Sequence, residues 1–478
     1  MQNYDVYENP LITRYASRAM SSVFSERNRI GLFRKLWIAL AESEKELGLK
    51  ITDEQIAQLK KFADDINFER AAELEKEVRH DVMAHVRAYG EQAPDAMRII
   101  HLGATSCYVT DNADIIIYRD ALKLIGKKVL NVINNLKNFA LKYKALPTLG
   151  FTHLQSAQLT TVGKRASLWL YDLYLDYIDV ENALKDFRLR GVKGTTGTQA
   201  SFLALFDGDD AKVKKLEKTV ASKMGFDKVF SVTGQTYTRK FDYKILALLS
   251  QIAQSASKFS NDMRLLQHMK ELEEPFEKSQ IGSSAMAYKR NPMRSERITS
   301  LSRFVMSLPS NGAFTAGTQW LERTLDDSAN RRIVIGQAFL ALDGILEIFL
   351  NITENICVYE KIIKKHIDAE LPFMATEEIL MACVKAGGDR QELHEKIRVL
   401  SMESARRVKQ DGGENDLVER IKKEKLFASV HADLDGILDA ARFTGRAAKQ
   451  TEELIKDEIE PLLKAHGSEL DLKGNVNV

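Results

Sequence analysis

Cysteine is scarce, with three residues (Cys107, Cys357, Cys383) in 478, no Cys-x-x-Cys spacing and no paired histidines beside them. That excludes a disulfide framework, and the thiols read as small, reduced residues of a cytoplasmic protein. Proline is sparse too. The eight prolines leave two clear intervals, between Pro147 and Pro275 and between Pro309 and Pro372, where nothing of that kind breaks a helix. An excess of one charge is also missing. Lys and Arg total 69 against 67 Asp and Glu, so there is no global field for a polyanion, and no nucleic-acid partner is expected. Residues 1–5 carry neither a basic region nor an apolar run, so no secretory signal is expected. The most apolar stretch, 333–352, contains Asp343 and Glu347, and its uncharged part ends at Leu342. That is too short to span a bilayer, so a core helix and no membrane role are expected.

What is present is helical periodicity. Ile245, Leu248, Leu249, Ile252, Ala253, Ala256 and Phe259 follow i, i+3, i+4, i+7 spacing. Around 333–352 the apolar residues lie nearly all round, as in a helix buried on most faces. A chain of this length exceeds one ordinary core. The expectation is an all-α protein in three helical blocks: 1–109, a central long-helix bundle over 110–358 that contains a mobile loop at 275–297, and 359–478. The polar tail after Pro461 is expected to be loosely ordered. Buried bundle helices with few loops suggest subunit contacts, hence an oligomer.

Five strings carry possible chemistry. Gly282-Ser283-Ser284-Ala285-Met286-Ala287-Tyr288-Lys289-Arg290-Asn291-Pro292 and the following Arg294, Glu296 and Arg297 place hydroxyls, cations and a flexible backbone together. A proton removed from carbon beside a carboxylate needs a base, plus donors where charge develops. Ser283 serves as that base only if Lys289 and loop amides hold it as an alkoxide; Ser284 is the alternative. His153 lies in Thr152-His153-Leu154-Gln155-Ser156 at an expected helix entry, and histidine is a residue type suited to protonating a leaving nitrogen. Arg79-His80-Asp81 follows an acidic helical run; His80 and His85 are five apart, which does not suit a zinc pair. Thr105 and Ser106 suit carboxylate binding as well as helix capping. Arg323, Ser328 and Arg332 suit phosphate, or a salt-bridged helix start with Asp326 and Asp327. The Gly191-Val192-Lys193-Gly194 stretch lacks a P-loop ending and reads as a scaffold loop.

Together these strings resemble the adenylosuccinate lyase family, animal type, within the fumarase/aspartase lyase superfamily. The resemblance runs from Arg14-Tyr15 to Arg332 and continues through Glu370-Leu371-Pro372-Phe373-Met374. It implies β-elimination of fumarate from adenylosuccinate and from the succinylated aminoimidazole carboxamide ribotide, without cofactor or metal. It also implies a cytoplasmic homotetramer whose active sites are shared between subunits. By the same resemblance, His153, Ser283, Lys289, His80 and Glu296 are catalytic. Arg14, Tyr15, Arg79, His80, Asp81, Thr105, Ser106, Gln235, Arg297, Arg323, Ser328 and Arg332 bind a nucleotide substrate. Two positions depart from the family pattern, Ser156 and Ala287, where proline is usual. Another fumarate-releasing lyase, such as one acting on argininosuccinate, is the nearest alternative, followed by a non-catalytic structural relative. The arginines favour a phosphate-bearing substrate.

Overall fold

The computed structural model describes residues 5–277 and 280–474; positions 278 and 279 of the expected loop, and the four residues at each end, lie outside it. Helices come first: α1 (Glu26–Glu46), α2 (Phe68–Val78) and α3 (Asp81–Gln92). Ser25 starts α1 by accepting the Asn28 N–H, and the stripe Ile30, Phe33, Trp37 and Leu40 is buried. Helix α2 ends at Arg79 in the left-handed region (φ 54°), and α3 begins at once with His80 as its N-cap. The motif Arg79-His80-Asp81 is thus a sharp corner between two helices.

The frame is built from α4 (Ser106–Lys142), the hairpin β1 (Pro147–Thr152) and β2 (Gln155–Thr161), α5 (Val162–Asp186), α6 (Lys240–His268), β3 (Leu272–Glu273), α7 (Met293–Ser307) and α8 (Asp326–Glu354). Helices of 37 and 29 residues, α4 and α6, are about 55 and 43 Å long at 1.5 Å per residue. The periodic residues 245–259 of α6 are buried, as their spacing predicts. Helix α8 packs against α4, α6 and α7. Among the described residues it is the one helix long and apolar enough to cross a membrane, and its apolar residues form the bundle core. Two of its acids, Asp343 and Glu347, are paired inside that core. Lys128 Nζ bonds Asp343 and lies 2.7 Å from Glu347, and Asp343 Oδ2 accepts the Ser17 N–H at 2.6 Å.

Two expectations need correction. His153 is not at a helix entry. It occupies the tip of the β1–β2 hairpin, whose two-residue turn holds His153 and Leu154 at φ 55° and 56°; helix α5 starts later, capped by Thr161. Paired positive φ values are those of a type I′ hairpin turn, usually signalled by Asn-Gly. This turn lacks that signal, and Gln155–Thr161 lacks apolar alternation. The tail after Pro461, as far as it is described (to position 474), is not loose. Asn131 donates to Glu469 O at 2.7 Å and accepts the Leu472 N–H at 3.1 Å, while Glu354 accepts the Gly474 N–H at 2.8 Å.

Beyond β4 (Cys357–Val358), which pairs with β3, comes α9 (Glu360–Met374), whose Ile363, Ile367 and Leu371 join the main core. Ile379, Leu393, Ile397, Leu417, Phe427 and Leu434 form a smaller core of their own, and Ile455, Ile459 and Leu463 return to the main one.

Candidate active site

At the end of the bundle where α3, α4 and α8 begin, a cavity of about 1060 Å³ opens. Its wall takes Arg79, His80 and Asp81 from the α2–α3 corner, Ser106 from the start of α4, Gln235, and Arg323, Ser328 and Arg332 around the start of α8. Four distant strings therefore meet. His80 Nδ1 accepts the Met83 N–H at 3.4 Å, which leaves Nε2 to carry the ring proton toward Ser106 Oγ, 3.2 Å away. Gln235 is held by Thr105 Oγ1 (3.2 Å) through its side-chain nitrogen and by Arg190 Nε (2.7 Å) through its carbonyl. Arg190 also donates to Gly194 O at 2.7 Å, and Asn112 pairs with the Gly191 backbone. The Gly191–Gly194 stretch is thus a support for Gln235. Cys107 lies against Gln235, and burial pushes its thiol up to about 11, so it stays protonated.

Six guanidiniums line the cavity against four carboxylates. Three of those arginines went unassigned in the sequence. Arg239 bridges Asp111 (3.1 Å) and Asp327 (2.6 Å), and Asp327 also takes Arg323 at 2.6 Å. Arg331 pairs with Asp242 (2.6 Å) and Asp114 (3.1 Å), and Arg29 approaches Asp114. The only local signal was the i, i+4 pair Arg323/Asp327. Arg332 takes Asp81 at 3.1 Å. Burial works to raise the Asp81 carboxyl, but the Val82 amide and Arg332 outweigh it and hold the group below its ordinary range. The wall carries two more guanidiniums than carboxylates, and Arg239, Arg323 and Arg331 are fixed in direction by buried acids. Such a wall suits a dianionic ligand with phosphate. His101, beside it, accepts from Trp37 Nε1 at 2.9 Å; burial and then His80 depress it to about 4, so it stays neutral.

The remaining site residues lie elsewhere in the chain. His153 is exposed at the hairpin tip, beyond the far end of α4 from Ser106. The 282–292 loop follows the far end of α6 from Arg239. Lys289 and Glu296 line a separate hollow of about 590 Å³ with Arg264 and His268, and Arg297 follows in the first turns of α7. Ser283 Oγ accepts two backbone amides, Ala285 N–H at 3.3 Å and Met286 N–H at 3.1 Å. Gly282 is required for this fold of the loop, since a Cβ there would stand 2.1 Å from Lys289 O. Buried Glu274 closes the loop by capping α7, accepting from Arg294 N–H (3.0 Å), Ser295 N–H (2.9 Å) and Ser295 Oγ (3.0 Å). Arg14 is exposed, and Tyr15 packs on Gly344 of α8; from this segment Asn9 and Ile12 reach the cavity wall instead. One chain thus brings together Arg79, His80, Asp81, Thr105, Ser106, Gln235, Arg323, Ser328 and Arg332, and not the hairpin or the loop.

A family model described as "Lyase" matches residues 3–307, and one described as "Adenylosuccinate lyase C-terminus" matches 372–454. The chain is 55% identical to the adenylosuccinate lyase of Schizosaccharomyces pombe and 55% identical to that of Saccharomyces cerevisiae, over 97% of this chain and of each relative. It is 46% identical to the adenylosuccinate lyase of Schistosoma mansoni over 100% of both. Among solved structures it resembles the 3-carboxy-cis,cis-muconate lactonizing enzyme of Pseudomonas putida, with a TM-score of 0.82, 23% identity, and 95% and 99% of the two chains covered. It also resembles the fumarate lyase of Mesorhizobium sp. BNC1, with a TM-score of 0.78, 21% identity, and 95% and 100% covered. At those identities the structural likeness shows the fold alone.

Proposed function

This chain belongs to the adenylosuccinate lyase family, and on that premise we propose how its residues release fumarate from adenylosuccinate, giving AMP, and from the succinylated carboxamide ribotide. The observation that carries the reading is the arginine-lined cavity in which four distant motifs meet. Arg323, Ser328 and Arg332 hold phosphate there, and Thr105 and Ser106 hold the succinyl carboxylates. His80, oriented by the Met83 amide, contacts the substrate. Ser283 takes the β-proton of the succinyl group. The two amides directed at its oxygen favour the alkoxide, which supports Ser283 over Ser284. Lys289 and loop amides steady the carbanion. The C–N bond then breaks, the electron pair moves to nitrogen, and His153 supplies its proton. Solvent returns a proton to His153 and removes one from Ser283.

The complete site belongs to a cytoplasmic homotetramer in this proposal. What supports sharing is distance, since Arg239 and the 282–292 loop flank opposite ends of a helix about 43 Å long. No bending of one chain closes that gap, whereas another copy supplies the missing segments. Arg14 and Tyr15 are assigned to the nucleotide and Glu296 to orienting the loop. Purified protein mixed with adenylosuccinate is expected to release AMP and fumarate in equal amounts. Folded protein that releases neither rejects this substrate. His153→Ala and Ser283→Ala are each expected to lower kcat by on the order of 10²–10⁴ with the fold intact. Ser284→Ala is expected to retain most turnover; the reverse order of the two serine variants reassigns the base.

A further inference from the structure

We propose that Glu271 is a positioning residue that joins the hairpin carrying His153 to the base of the Ser283 loop, with Arg165 and His366 as its partners. This rests on the reading of hairpin and loop as the catalytic segments. Glu271 lies between α6 and β3, and its side chain is 1% exposed. Its Oε1 is 2.8 Å from Nδ1 of His366 on α9. Its Oε2 has no hydrogen-bond partner among the described residues and stands 3.9 Å from an Arg165 nitrogen. A carboxylate at this depth is held only where charged or donating groups face it.

Both partners lie on the hairpin side, His366 being carried by α9, which packs against β1. Arg165, in the first turn of α5, donates to Leu149 O at 2.5 Å, and its guanidinium lies 6.0 Å from the Phe151 ring centre. Leu149 and Phe151 flank the bulge in β1, shortly before His153. On the loop side, the Glu271 carbonyl accepts the Tyr359 N–H at 2.9 Å, which fixes the β3–β4 pair. Next to it, Glu273 takes the Tyr359 hydroxyl (2.7 Å) and Arg290 (3.4 Å), while Gln267 donates to Arg290 O at 3.1 Å. Three residues beyond Glu271, Glu274 caps α7. The Glu271 carboxylate therefore faces the root of the hairpin, while its backbone anchors the strand that leads into the loop. Neither Glu271 nor Arg165 nor His366 lines the cavity. Their effect is on geometry, where a displacement of about 1 Å at the reacting groups is worth up to 10²-fold in rate.

The test is hydrogen–deuterium exchange on the whole, ligand-free protein, read over 147–161 and 280–292, beside kcat and KM for adenylosuccinate. Glu271→Gln and His366→Ala are expected to speed exchange in both segments and to lower kcat by about tenfold with KM within about twofold. His366→Asn, which keeps a donor, is expected to recover part of both. Exchange unchanged, or altered in one segment only, overturns the proposal, as does altered exchange with wild-type kcat. His153→Ala and Ser283→Ala serve as controls. Full activity in them overturns the assignment of the segments, and the positioning role with it, while the exchange data separately report whether Glu271 couples them.

Discussion

Ser283 and Ser284 are chemically alike, and only their surroundings separate them. The amides of Ala285 and Met286 converge on Ser283 Oγ, the arrangement that lowers the energy of an oxyanion. His153 shows the same dependence on context. Two adjacent non-glycine residues at positive φ cost about 1–2 kcal/mol each, and backbone strain of this kind is held where function gains from it. Glu44 is the opposite case, a buried carboxyl with no partner for either oxygen among the described residues. Burial pushes it up to about 9 from 4.5. The folded chain thus binds this proton more tightly than the unfolded chain. The stabilising effect is complete below pH 4.5 and is lost as pH rises toward 9. Glu44→Gln is expected to stabilise by on the order of 1–3 kcal/mol at pH 8.5 and by little at pH 5. Denaturant melts at both values check this, and a pH-independent difference counts against it.

At the scale of elements, the loop and the hairpin show what local sequence does and does not specify. In the loop, Lys289 N–H returns to Met286 O at 2.9 Å, so Ala287 is the second residue of a turn. That is the position where proline presets φ, and the family pattern has proline there. Ala287→Pro is expected to favour the ordered loop by about 0.4–1 kcal/mol, a two- to fivefold slower proteolytic nick between 280 and 292. A rate equal to that of the parent rejects the idea. The hairpin was illegible because its strands are polar on the face that projects outward and its turn lacks glycine. The long helices were legible because each carries its own apolar stripe, with no proline to interrupt it.

At the scale of the molecule, the arginine-lined cavity and the segments proposed to be catalytic lie at opposite ends of long helices. Helix α4 starts at the cavity with Ser106 and leads, 37 residues later, to the His153 hairpin. Helix α6 does the same between Arg239 and the loop. Two inactive variants with lesions at opposite ends should therefore repair each other. Mixing His80→Ala with Ser283→Ala under subunit exchange is expected to restore about a quarter of the activity if each site draws the two residues from different copies. No recovery in mixed oligomers places both residues in one copy and rejects shared sites.

The sequence alone determined what is local: which stretches are helices, which faces are buried, and which residue types sit together in the reactive strings. It carried the family as well, because those strings are long and specific. Tertiary structure decided every relation between distant positions. Asp111 and Arg239 are 128 positions apart, and Lys128 and Asp343 are 215 apart. No periodicity signals such pairs, so apart from Asp327, four residues after Arg323, the acids that orient the cavity arginines, the bonds that fasten the tail, and the Glu271 link between hairpin and loop were invisible along the chain. The physical reason is that hydrophobic spacing reports only which way a side chain faces. What it meets there depends on how whole helices pack.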